Sequence, residues 1–129
     1  MNYCLDTNIV IDFLRNKSHV VEAINKIENE GLFITFITLC ELYKGVYLSN
    51  NSENELAVID NFLNSVTIIG FNQESCRFFG EEYSRLRKLG KTTQEPDLMI
   101  ASIAKAFDLT LITRNKKDFE NIIVKLEVW

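Results

Sequence analysis

Apolar residues follow two rhythms along this chain. Short unbroken runs occur at residues 2 to 5, at "LFITF" (32 to 36), at "VTIIG" (66 to 70), at "LTLIT" (109 to 113) and in the closing "IIVKLEVW". Their β-branched and aromatic composition is that of buried strands. Between them the apolar positions recur at helical spacing: residues 8 to 15, a segment opened by Ser18 and ended at Gly31, 38 to about 48, 55 to 65, 73 to 89, and about 96 to 107. Local punctuation supports these bounds. Ser18 is a suitable N-cap, Thr38-Leu-Cys-Glu41 matches a capping box, Gly90 stops the longest helix, and Pro96 suits a first helical turn. Strands alternating with helices predict a mainly parallel α/β sheet covered on both faces, with the last strand at an edge.

Bulk properties narrow this further. A chain of 129 residues predicts one domain over 1–129, large enough for a core and too short for two. Hydrophobic residues at 47% and charged residues at 25% are ordinary for a soluble globular protein, and no run approaches the roughly 18 apolar residues of a membrane span. Met1-Asn2-Tyr3 shows no basic leader region or cleavage site, so a cytoplasmic location is expected. Cys4, Cys40 and Cys76 lie in apolar segments and are expected as reduced core residues; no paired Cys or His spacing suggests zinc. The net charge of −4 argues against coating nucleic acid by charge alone. An enzyme that meets phosphates through metal ions stays open, because its own carboxylates would supply that negative charge.

Ligands of parallel α/β sheets gather beyond the carboxyl ends of the strands, so acids at those ends matter most. Asp6 ends the first strand, Glu41 is expected in the first turn of the helix after the second, Asp97 follows Pro96, and Asp118 follows the strand ending at Thr113. If the helices start above that edge, the four can share one crevice. Two carboxylates about 5 Å apart repel by roughly 3 kcal/mol at an effective dielectric near 20. Four need protonation or a cation, and Mg²⁺ or Mn²⁺ are the hard ions that suit them. Such ions on carboxylates are standard for phosphodiester hydrolysis, where they acidify water and steady the leaving oxygen. Taken singly, Glu41 and Asp97 are explained by favourable placement at helix N-termini, and Asp118 by solvent exposure. Asp6 resists that reading, because a lone carboxylate abutting a buried strand is costly. The set of four carries the functional reading.

Other features favour plainer readings. Arg15, Lys17, Arg85, Arg87, Lys88, Lys91, Arg114, Lys116 and Lys117 could face substrate phosphates, although a run such as "RLRKLGK" more often marks a solvated helix end. His19 is expected at the surface, Asp12 in a solvated or capping role, and Phe33, Phe36, Phe62, Phe78, Phe79 and Tyr83 in the core. A receiver-like signalling domain also clusters acids and Mg²⁺, but it needs an acceptor Asp after its third strand, where this chain reads "VTIIGFN". Asp6-Thr7-Asn8 likewise lacks the second acid of an Asp-x-Asp-x-Thr phosphatase.

Together "YCLDTNIVIDFL", "ITLCELYKGV", "EPDLMIASIAKAFDLTLITRNKKDF" and the terminal "VW" make the whole chain resemble the PIN-domain ribonucleases, specifically the VapC toxins of type II toxin–antitoxin modules. The resemblance implies a three-layer α/β/α fold, Mg²⁺ or Mn²⁺, and endonucleolytic cleavage of RNA, such as a tRNA or another stable RNA, by metal-activated water, which would inhibit translation. It implies Asp6, Glu41, Asp97 and Asp118 as the acidic quartet. Asp6 and Asp97 would be direct metal ligands, and Thr7, Thr113 and Asn115 supporting groups. Relatives carry an acid at either the Asn115 or the Asp118 position. It also implies a VapB-like antitoxin, received on apolar faces at 20 to 27 and 39 to 48, and a homodimer. A PIN scaffold that binds metal or RNA without cutting is the alternative, and the intact quartet favours cutting. Two departures concern the approach to Asp97: Pro96 stands where many relatives have Asn, and "GKTTQE" lacks their Gly-x-Pro-Ile pattern.

Overall fold

A computed structural model describes all residues, 1–129. Five strands form one sheet: β1 (Asn2–Leu5), β2 (Gly31–Thr35), β3 (Thr67–Ile69), β4 (Thr110–Thr113) and β5 (Leu126–Val128). Their order is β3-β2-β1-β4-β5, and every neighbouring pair is parallel. Seven helices complete the chain: α1 (Thr7–Leu14), α2 (Ser18–Lys26), α3 (Phe36–Leu48), α4 (Ser52–Leu63), α5 (Gln73–Lys88), α6 (Glu95–Ala106) and α7 (Lys116–Phe119).

Alternate strand residues feed two separate cores, as a pleated sheet requires. Cys4 and Leu111 point into one cluster with Leu86 of α5, Ile100 and Ile103 of α6, and Phe119 of α7. Leu5, Ile34 and Ile112 point into the other, with Ile9 of α1, Val20 of α2, Leu42 of α3 and Ile59 of α4. The result is the three-layer α/β/α architecture. α6 is buried nearly all round, from Leu98 through Ala104, and Ser102 returns its hydroxyl proton to the Leu98 carbonyl at 2.6 Å.

The chain adds β2 and then β3 on one side of β1, and β4 and β5 on the other. The order therefore reverses between β1 and β4. That switch point is where an open parallel sheet leaves a crevice beyond its carboxyl ends. The register pairs Leu5 with Ile112, and the Asp6 N–H donates to the Ile112 carbonyl at 2.9 Å.

Several local expectations need correction. α3 begins at Phe36, capped by Thr35, whose hydroxyl accepts from the Thr38 N–H at 3.2 Å. The capping box at Thr38 is thus displaced by one turn, and Glu41 lies in the second turn of α3. Phe36 leaves the strand and is 51% exposed, and Tyr83 is 40% exposed, so neither is core. Cys40 and Cys76 are exposed; only Cys4 is a core thiol, pushed up to about 12 chiefly by burial and secondarily by Asp6. α2 is capped by Lys17 without a side-chain bond and ends at Lys26, while Gly31 opens β2. α4 begins at Ser52, α7 lies where no helix was expected, and the last strand is confined to Leu126–Val128. α2 spends its apolar positions Val20 and Ile24 inside the domain, whereas α3 leaves Tyr47 and Leu48 at the surface.

Candidate functional site

Asp6 occupies the first position after β1 and caps α1, its Oδ1 accepting from the Thr7 N–H at 2.8 Å. Its other oxygen, Oδ2, accepts from Thr113 Oγ1 at 2.7 Å. Thr113, fully buried at the end of β4, is steadied in turn by the Asn115 N–H at 3.1 Å. Asp6 is only 4% exposed, so these two donors hold a carboxylate that burial opposes. Burial nevertheless dominates and raises its pKa, with Glu41 and Asp118 adding repulsion.

Glu41 is held from the same corner. Thr7 Oγ1 lies 2.7 Å from Glu41 Oε1 and 3.0 Å from Thr38 Oγ1. A hydroxyl has one proton, so Thr7 donates to Glu41 and accepts from Thr38. One threonine thereby orients two acids, Asp6 through its backbone and Glu41 through its side chain. Asp97 sits in the first turn of α6, behind Pro96, and is half-buried. Its pKa is pushed up to about 7, first by burial and then by Asp6, Asp118 and Glu41. Asp118 is exposed on α7, and its backbone carbonyl accepts from Thr93 Oγ1 at 3.1 Å.

The four sequence-predicted acids therefore come within electrostatic reach of one another at the switch point. Thr7 and Thr113 touch the acids directly, while Asn115 acts through its backbone N–H and not its side chain. No three acidic, His or Cys side chains close around one point tightly enough to enclose an ion by themselves. The donors are all carboxylate oxygens, the chemistry of Mg²⁺ or Mn²⁺. A cation would also offset the burial, and the smaller repulsion between the acids, that raise Asp6 and Asp97.

Sequence reading missed part of this corner. Asp12 is neither solvated nor a cap. It is 2% exposed, and its carboxylate meets Arg114 at 2.7 Å and Lys17 at 3.7 Å. Its spacing from Ile9 on the buried face of α1 was the available signal. The Arg114 N–H also donates to Asn8 Oδ1 at 3.3 Å, so α1 is pinned to the segment that carries Thr113 and Asn115. Arg85 is not a free cation either: it forks onto Glu82 at 2.6 and 2.9 Å and donates to the Asn121 carbonyl at 2.6 Å. His19 is exposed, as expected.

Comparison with known proteins identifies the family and the fold. The family model described as PIN domain matches residues 3–124. A protein called Ribonuclease VapC1 from Haemophilus influenzae (strain R2866) is 34% identical, covering 95% of this chain and 92% of that one. A tRNA(fMet)-specific endonuclease VapC from Shigella flexneri is 29% identical over the same shares, 95% and 92%. Among solved structures, VapBC2 from Rickettsia felis bound to a DNA fragment from their promoter aligns with a TM-score of 0.94 at 32% identity, covering 100% of this chain and 99% of that one. The chain belongs to the PIN-domain family and, within it, to the VapC group.

Proposed function

We propose that the chain is a divalent-metal-dependent endoribonuclease, acting as one PIN domain over residues 1–129 and forming the toxin half of a toxin–antitoxin pair. The observation that carries this is the meeting of Asp6, Glu41, Asp97 and Asp118, from four separate stretches, at the switch point of the sheet, where burial first and the neighbouring acids second raise the cost of charge on Asp6 and Asp97. Relatives named as ribonuclease and as tRNA(fMet)-specific endonuclease support RNA as the substrate and a tRNA as its first candidate.

In this reading Asp6 and Asp97 hold Mg²⁺ or Mn²⁺, with Glu41 and Asp118 completing the surroundings directly or through water. When bound, the ion supplies charge neutralisation at the phosphate and a water acidic enough to ionise near neutral pH. Thr113 and the Thr7 N–H keep both Asp6 oxygens fixed, and the Thr7 hydroxyl fixes Glu41. A ligand already held costs no reorganisation when substrate arrives. Without the ion, burial and then the neighbouring acids push Asp97 up to about 7, so a proton competes with the cation for it near neutral pH.

The natural partner in this reading is a VapB-like antitoxin, as in the VapBC complexes to which the fold aligns. A groove of about 420 Å³ between α1, α3 and α4 reaches from Glu41 and Arg15 past Leu42, Val46 and Val58. It suits an amphipathic segment that reaches Glu41. A homodimer in the cytoplasm, with translation inhibited by RNA cleavage, completes the proposal. Purified chain incubated with total RNA and Mg²⁺ should cut it, and the Asp6→Ala chain should not. Equal cleavage by the two preparations would overturn the assignment.

A further inference from the structure

The acidic corner repels the polyanion it is proposed to cut, and a chain of net charge −4 offers little general attraction. The cations near it differ in their partners. Lys17 and Arg114 are committed to Asp12, Arg85 to Glu82, and Lys125 to Asp108 at 2.7 Å. Arg87 and Lys91 have no such carboxylate partner: the Arg87 guanidinium lies 3.5 Å from the Tyr83 hydroxyl, and Lys91 Nζ donates to the Asn121 side-chain carbonyl at 3.2 Å. Both line a groove of about 320 Å³, together with Tyr83, Thr92, Thr93 and the one acid Glu95.

The helix end fixes these two cations relative to each other. Gly90 takes φ +70, its N–H bonds the Arg87 carbonyl at 3.1 Å, and the Lys91 N–H bonds the Leu86 carbonyl at 2.9 Å. This is a Schellman closure, which turns the chain so that residues on either side of the glycine share one wall. The far wall comes from the segment that leads into the acidic site. Glu95 and Leu98 flank Asp97 in the first turn of α6, and Thr93, which also lines the groove, is tied to the Asp118 carbonyl at 3.1 Å.

We infer that this groove is a phosphate handle for the RNA strand, in which Arg87 and Lys91 hold backbone phosphates beside the linkage presented to Asp97. The inference rests on the ribonuclease reading and adds a second subsite to it. Arg87 and Lys91 each contribute one phosphate contact, and the exposed Tyr83 side chain lines the groove beside them. They act on binding and touch no reacting bond.

The test uses the parent chain, Arg87→Gln/Lys91→Gln, the charge-keeping Arg87→Lys/Lys91→Arg, and a remote control that loses the same charge, Lys26→Gln/Lys105→Gln. Binding of a labelled mixed-sequence single-stranded oligoribonucleotide is measured in chelating buffer across a salt series. Cleavage of the same RNA is then followed with Mg²⁺. Loss of two phosphate contacts should flatten the slope of log affinity against log salt by about 1.4 and weaken binding roughly twentyfold at 0.1 M salt. KM should rise with kcat unchanged, because the lost interaction is made equally in ground and transition states. The charge-keeping variant should hold the parent slope, and so should the remote control. An unchanged slope in Arg87→Gln/Lys91→Gln, or an equal fall in the remote control, overturns the groove while parent cleavage leaves the ribonuclease reading standing. A parent chain that neither binds nor cuts RNA overturns both.

Discussion

Thr113 Oγ1 donates to Asp6 Oδ2 at 2.7 Å, joining the ends of β4 and β1 across 107 positions of sequence. The bond lies at the reversal of strand order, so it ties the topology to the candidate chemistry. Thr113→Val keeps the shape and removes the donor, leaving one oxygen of a buried carboxylate without its partner. Stability should fall by about 1–3 kcal/mol, measured by urea unfolding in chelator. Mn²⁺ affinity by calorimetry should fall about 10- to 100-fold, the usual cost of losing a group that orients a metal ligand.

Asp97 makes a prediction with a definite sign. Its folded pKa is about 7 against 3.8 for the unconstrained acid, so between those values the folded chain binds more protons than the unfolded one. Its contribution to stability is fully present below pH 3.8 and is lost as pH rises through 7. In chelator, the melting temperature should therefore rise as pH falls from 8 to 5. Asp97→Asn should stabilise the chain at pH 8 by about 1–2 kcal/mol, less than the full shift implies because the half-buried carboxylate is partly screened by water. The same protonation competes with a cation, so Mg²⁺-dependent cleavage should decline as pH drops below 7.

The Asp12–Arg114 pair predicts an asymmetry. Arg114→Met strands a carboxylate that is 2% exposed, with Lys17 at 3.7 Å as its remaining partner, whereas Asp12→Asn leaves Arg114 free to reach water. The first substitution should cost about 2–3 kcal/mol in urea unfolding and the second clearly less. Equal costs would mean that the pair is not buried as described.

Arg85 and Arg87, two positions apart, should separate cleanly. Arg85→Gln removes the fork on buried Glu82 and the bond to the Asn121 carbonyl, so it should lower the melting temperature by several degrees. Arg87→Gln should leave the melting temperature unchanged, because the guanidinium meets only a tyrosine hydroxyl at 3.5 Å.

The layered α/β architecture and the acids at its carboxyl edge were legible because they depend on local pattern. Apolar runs alternate with helical spacing, and Asp6 abuts a buried strand. What was illegible depends on pairing across distance. The strand order that sets Asp6 beside Thr113 is decided by long-range contacts, and no window of sequence contains it. Thr38 looked like a cap because Glu41 follows it at the capping-box interval. Thr35 takes the cap instead and leaves Glu41 to Thr7. Asp12, Arg85 and the exposed Cys40 and Cys76 depart from the sequence pattern for a related reason: burial of a single residue depends on which helix face meets the sheet. For α1 and α5 that face carries charged groups with distant partners.

Whether the separated carboxylates form one shared cation site is decided by calorimetric titration of Mn²⁺ into the parent chain, Asp6→Asn and Asp97→Asn. The parent should bind saturably, and each substitution should weaken binding at least tenfold, with Asp97→Asn melting no lower than the parent in chelator. Saturable binding that survives both substitutions unchanged, or no binding by the parent at neutral pH, would contradict the claim.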